Sequence, residues 1–170
     1  MMDRSRLLAA VALSAVLLLT PSIATAAISG RIVENVGIKT AKLGLHDSTD
    51  THRLGWSYRR VVNRDYQGAG YVVYEYYFGK KGAKSHKYPL EMYSAGNHHV
   101  FTFVINTSSL KTKNGTGVGT SESALTSRYG ATLKSSSGSI YTDYYLGTRA
   151  GRTDFYVRAG KVHHIVVSRY

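Results

Sequence analysis

Two adjacent histidine pairs, His98-His99 and His163-His164, have the widest chemical reach in this chain. Imidazole moves protons near neutral pH and ligates zinc, copper and nickel. Each pair stands at the head of an apolar, β-rich run, before Val100 and Ile165. Neighbours on a regular strand face opposite ways, so one pair does not chelate from a single face. A metal centre would need His98 to meet His163, or His99 to meet His164, across the molecule. The expectation is surface or strand-edge histidines, with no metal and no cofactor.

Other chemistry is signalled less. Serine and threonine are plentiful, but no Gly-x-Ser-x-Gly elbow is present, and no histidine is flanked by acid in the manner of a triad. Gly115 and Gly117 lack the Lys-Ser/Thr of a phosphate loop. The chain has no cysteine, which excludes thiol catalysis and Cys-ligated zinc. No catalytic residue is assigned. The enzyme alternative is a nuclease-like hydrolase working with His and acidic side chains on a basic surface.

Recognition has the better material. There are 14 tyrosines and 22 lysines plus arginines, with a net charge of +12. Tyr71, Glu75, Tyr77, Tyr141, Asp143 and Tyr145 recur in two similar runs and form the candidate partner-binding set. Tyrosine offers large contact area and a polar tip at low entropic cost. Lys80, Lys81, Lys84 and Lys87 form a basic loop that could hold an anionic envelope polymer or lipid. Basic residues interleaved with aromatics also suit single-stranded nucleic acid, a partner that an exported protein meets rarely.

Export itself is read at the start of the chain. Arg4 and Arg6 precede an apolar run from Leu7 to Leu19, and Ala24-Thr25-Ala26 offers small residues for cleavage. This is the pattern of a signal peptide over 1–26, too short to span a bilayer. The expected mature chain is secreted, carries no transmembrane segment, and keeps a charge of +11, because two arginines and one aspartate leave with the signal.

These residues need elements to position them. Gly119 to Gly130 encloses Thr-Ser-Glu-Ser-Ala-Leu-Thr-Ser-Arg-Tyr, a short helix with Leu125 and Tyr129 on one face. Gly44 to Gly55 has the same spacing, but Asp50 stands in place of Leu125, so a shorter or less regular helix is expected there. Asp47 or Ser48 is its expected N-cap. Glu75-Tyr76-Tyr77-Phe78-Gly79 matches Asp143-Tyr144-Tyr145-Leu146-Gly147, and the two histidine pairs match at an offset of 65 residues. Strand alternation puts Tyr76, Phe78, Tyr144 and Leu146 under the helices, with Glu75, Tyr77, Asp143 and Tyr145 on the other face.

The order of these landmarks predicts an α+β fold of two tandem copies, each a short helix packed on a small antiparallel sheet. The copies span 27–110, including a lead-in with one strand near Arg31 to Val36, and 111–170. From Leu43-Gly44 through Gly55, Val118-Gly119 through Gly130, and Gly160 through Val167, the chain resembles a family of secreted tandem-unit proteins. That family includes the beta-lactamase inhibitory protein and the SmpA/OmlA-type outer-membrane assembly lipoprotein. The resemblance implies a non-catalytic module whose open sheet face meets an extracellular protein or a cell-envelope polymer. This chain departs from it in lacking disulfides and in Asp50, and no inhibitory loop matches, so lactamase inhibition is not carried over.

Overall fold

In the computed structural model, residues 28–56, 58–66, 70–80 and 87–169 are described. The expected signal peptide lies outside them, as do Lys81 and Lys84. A run of short strands leads in: β1 (Gly30–Val33), β2 (Gly37–Ile38) and β3 (Ala41–Lys42). Helix α1 (Asp47–Leu54) follows, then β4 (Tyr58–Asn63), β5 (Val73–Phe78), β6 (Leu90–Ala95) and β7 (Val100–Ile105). After β8 (Leu110–Lys111) come α2 (Glu122–Tyr129), a 3-10 turn, β9 (Lys134–Ser137), β10 (Thr142–Thr148), β11 (Gly151–Arg158) and β12 (Lys161–Ser168).

The expectation of two α+β copies, each with its own small sheet, is overturned. The protein is mostly β, with two helices of eight residues among the described residues. Its strands form one sheet of eight in the order β4-β5-β6-β7-β12-β11-β10-β9 and one of four in the order β3-β2-β1-β8. The closing strands β7 and β12 pair with each other, Ile105 opposite Ile165 and Phe103 opposite Val167, so no boundary divides the larger sheet. Alternating apolar residues on both strands leave an edge that is stable only when paired. Each closing strand covers the other's.

Three further elements differ from expectation. The lead-in holds three strands rather than one, with β1 antiparallel to β2 and parallel to β8. Tyr58–Asn63 and Lys134–Ser137, for which the sequence suggests no strand, are the edge strands of the large sheet, where polar side chains are tolerated on solvated positions. Helix α1 matches α2 in length. Its Asp50 is fully buried where α2 buries Leu125; one carboxylate oxygen accepts the Lys42 backbone N–H at 3.1 Å, and burial raises its pKa to about 6.

One core joins these parts. Phe78, Met92, Phe103, Ile105, Phe155, Ile165 and Val167 of the large sheet pack with Ile32, Ile38 and Leu110 of the small one and with Leu54 and Leu125 of the helices. Both helices and the small sheet therefore lie on the same face of the large sheet.

Ile165 sits at the seam, with no exposed surface, opposite Ile105 on one side and Phe155 on the other. Ile165→Ala should cost about 2–5 kcal/mol. The loss should appear in full when denaturant unfolding is followed by the fluorescence of Trp56, the single tryptophan, which packs at the edge of the core in the other half. An unchanged Trp56 midpoint would mean that the halves unfold separately.

Candidate functional site

Both helices are seated on the sheet by the same bonds. Asp47, the first residue of α1, accepts the Tyr76 hydroxyl at 2.6 Å, and Glu122, the first residue of α2, accepts the Tyr144 hydroxyl. The backbone repeats the relation. Gly44 N–H donates to Val100 O at 2.6 Å, Val100 N–H to Leu45 O at 2.9 Å, and Asp47 N–H to His98 O at 2.8 Å. In the second half Gly119 donates to Val162 at 2.8 Å, Val162 to Thr120 at 2.8 Å, and Glu122 to Gly160 at 2.9 Å. Val100 thus corresponds to Val162, 62 residues on, rather than to Ile165. The double histidines do not occupy matching places, and the offset of 65 is a coincidence of sequence.

The first seat is the more elaborate. The N-cap of α1 is His46, not Asp47 or Ser48. Asp47 is buried, and its Oδ2 also accepts the Ser94 hydroxyl at 2.7 Å and meets His98 Nδ1 at 2.9 Å. Its Oδ1 lies 3.3 Å from His46 Nδ1. Burial works to raise the pKa of Asp47, but hydrogen bonds from Tyr76, His98 and Ser94 outweigh it and hold the carboxyl below its usual range. His98 is stacked on Tyr74, ring centres 4.2 Å apart, and on His46 at 5.2 Å.

Where α1 uses His46 and His98, α2 uses Ser121 and Gly160. Ser121 caps its helix by accepting Ala124 N–H at 3.2 Å, whereas His46 accepts Ser48 N–H at 3.4 Å. His98 has φ +64° and Gly160 φ +71°. A left-handed backbone costs a side-chain-bearing residue about 1 kcal/mol and glycine nothing. Ser48 Oγ is also 2.9 Å from His46 Nδ1. A proton relay needs hydroxyl and carboxylate on opposite ring nitrogens, and here both meet the same one.

The other face of the large sheet meets no second layer among the described residues. Glu75 and Tyr77 on β5 stand opposite Tyr93 and Glu91 on β6, a two-by-two square of acids and phenols. The Tyr77 hydroxyl donates to Glu75 and the Tyr93 hydroxyl to Glu91 at 2.6 Å; burial and these acceptors push both phenols above their ordinary pKa. Asp143 and Tyr145 on β10 stand likewise opposite Tyr156 and Asp154 on β11. Arg152 joins this square, bonding Asp154 and, at 2.7 Å, Asp143, with its guanidinium 3.8 Å from the Tyr145 ring centre. The spacing acid-x-Tyr recurs at Glu75, Glu91, Asp143 and Asp154. That signal was present in the sequence, yet only two of its four instances entered the candidate set.

The centres of the squares lie four inter-strand spacings apart, roughly 19 Å. Glu75 with Tyr77, and Asp143 with Tyr145, are each brought together, but the two groups are not. Glu75 is buried rather than open. Tyr71 is half exposed and stands beside Tyr66, ring centres 6.1 Å apart. Tyr66, Tyr71, Phe101 and Arg169 line a shallow cleft of about 500 Å³ between the squares.

The histidine pairs do not meet across the halves by any contact among the described residues. A β-bulge between Tyr156 and Val157 leaves His163 as the extra residue on β12. The bulge breaks the alternation assumed for a regular strand, so His163 Nδ1 and His164 Nδ1 lie 3.1 Å apart. Burial and the charge of Lys87 lower both pKa values, that of His164 to about 4. Tyr141 packs on both rings, 5.3 and 5.4 Å between centres. Lys80 and Lys87 join His163 around a polar depression of about 400 Å³.

Neither a protein-family model nor a curated protein matches the chain. Among solved structures it is similar to the crystal structure of the uncharacterized protein yfeY from Escherichia coli, at 15% identity and a TM-score of 0.48, covering 84% of this chain and 99% of that one.

Burial, followed by the charge of Asp154, raises Asp143 to about pKa 6 despite Arg152. A raised carboxyl disfavours the fold wherever it is ionised, so this square should gain stability as pH falls through about 6 toward the unfolded value near 4. Asp143→Asn should therefore stabilise the protein by about 1–2 kcal/mol at pH 7.5. The gain should shrink toward zero by pH 4 in urea unfolding. A gain that is the same at both pH values would place its origin elsewhere.

Proposed function

We propose that the protein is a secreted, non-catalytic binding protein that recognises an extracellular or envelope partner through the uncovered face of its large sheet. The observation that carries this reading is the layering: both helices and the small sheet crowd one face, leaving the tyrosine squares on the other without a covering layer among the described residues. In the first square the phenols are already fixed by carboxylates, and in the second Arg152 joins both acids beneath the Tyr145 ring, so few side chains remain to be ordered when a partner docks. Tyr71, Tyr77, Tyr141 and Tyr145, with Tyr93 and Tyr156, supply contact area across a span suited to a protein surface.

Secretion rests on the signal pattern over residues 1–26. The resemblance to secreted tandem-unit proteins, in which an open sheet face meets a protein, points the same way. No helix among the described residues is long and apolar enough to cross a membrane.

Tyr77→Ala combined with Tyr145→Ala should abolish capture of the partner from culture fluid or envelope extract while leaving far-UV circular dichroism unchanged. Capture that survives the double change would sink the proposed surface. Capture lost in moderate salt but indifferent to the tyrosines would point instead to the lysines.

A further inference from the structure

We propose that His46, Asp47 and His98 form a binding site for a divalent transition-metal ion of the zinc class. The three side chains bring one ligand atom each within 4.8 Å of one another. Both imidazoles turn Nδ1 toward the carboxylate, His46 at 3.3 Å from Oδ1 and His98 at 2.9 Å from Oδ2. With metal–ligand bonds of roughly 2.0–2.2 Å, the wider of these separations corresponds to a near-tetrahedral angle at the ion, and the narrower would open by a few tenths of an ångström to reach it. Two histidines and one carboxylate are a ligand set that zinc accepts, with a fourth position left for water or a partner's side chain.

The second seat supplies the independent argument. Ser121, Glu122 and Gly160 make the same backbone bonds without an imidazole, so seating a helix does not require His46 or His98. Serine is the better cap and glycine the better residue at a left-handed φ. Both histidines stand where an ordinary residue would serve the fold better, and both point at one buried acid. Strain retained against local preference is a mark of function.

The surroundings fit an ion. Asp47 is ionised and anchored from behind by Tyr76 and Ser94, which would hold the carboxylate in place as outer-shell partners do in metal sites. His46 is half exposed and His98 about one-third, leaving a path of entry. Binding at His98 Nδ1 calls for the neutral tautomer that carries its proton on Nε2. Among charged groups nearby, Arg60 lies 5.4 Å over the far ring, Tyr74, and Asp50 is buried on the same helix. Neither stands between the three ligands.

The test uses the two residues that the second seat already employs. His46→Ser and His98→Gly copy Ser121 and Gly160, so each variant should fold, with circular dichroism and thermal midpoint checked without metal. Zinc titration of the wild-type chain by calorimetry should give one saturable equivalent and a raised thermal midpoint, and cobalt should show the visible absorption of a low-symmetry site. Either variant should weaken zinc by an order of magnitude or more, and the double variant should abolish the cobalt spectrum. Absence of saturable binding in the wild type would overturn the proposal. So would binding that survives both changes or disappears only with His163→Ala and His164→Ala.

Discussion

A helix of eight residues does not hold itself in water, since nucleation outweighs so few hydrogen bonds. Both helices depend on the bond from a strand tyrosine to the acid at the helix start: Tyr76 to Asp47 and Tyr144 to Glu122. That bond places a negative charge at the positive end of the helix dipole and, in the first seat, satisfies the buried phenol of Tyr76. It also fixes which way each tyrosine strand turns. With Tyr76 and Tyr144 committed to the helix side, Tyr77 and Tyr145 must occupy the other face, and the acid-phenol squares follow from strand pairing alone.

The two seats show how the same bond can be used with different surroundings. Glu122 reaches its tyrosine near the surface, and its pair needs little support. Asp47 is buried, so an ionised carboxyl there requires compensation, which Tyr76, Ser94 and His98 supply. Three donors on one oxygen hold the acid charged where desolvation alone would neutralise it. Asp50, three residues on, has one backbone donor, and burial raises its pKa to about 6. With fewer donors its burial is less compensated than that of Asp47.

Much of the local structure was legible in the sequence. Paired glycines bracketed both helices, and the period of two along Val73–Phe78 and Thr142–Thr148 assigned their faces. What escaped was long-range. Pairing of β7 with β12 is a contact between distant segments, and nothing local in Phe101–Ile105 distinguishes an edge from a seam. The full length of helix α1 escaped because Asp50 reads as a break in an apolar face, whereas burial with the Lys42 amide lets it remain. The His163 bulge escaped because alternation holds only for regular strands, and an extra residue is invisible without its partner strand.

The misplaced histidine match carries the most information. Aligned by letters, His98-His99 falls on His163-His164; aligned by hydrogen bonds, it falls on Gly160-Lys161. The second alignment rests on three backbone hydrogen bonds that recur in the same order in both halves. His98 therefore answers to a glycine, and His163 to a residue inside β7, Phe101, which is also the extra residue at a bulge between Tyr93 and Ser94. The two bulges turn different chemistry onto the open face, an aromatic ring in one half and a pair of imidazoles in the other. What the halves share is backbone geometry, and what separates them is which side chains that geometry presents. The chemistry peculiar to one half lies in the residues that differ at matching positions, and His46 and His98 are the first of these.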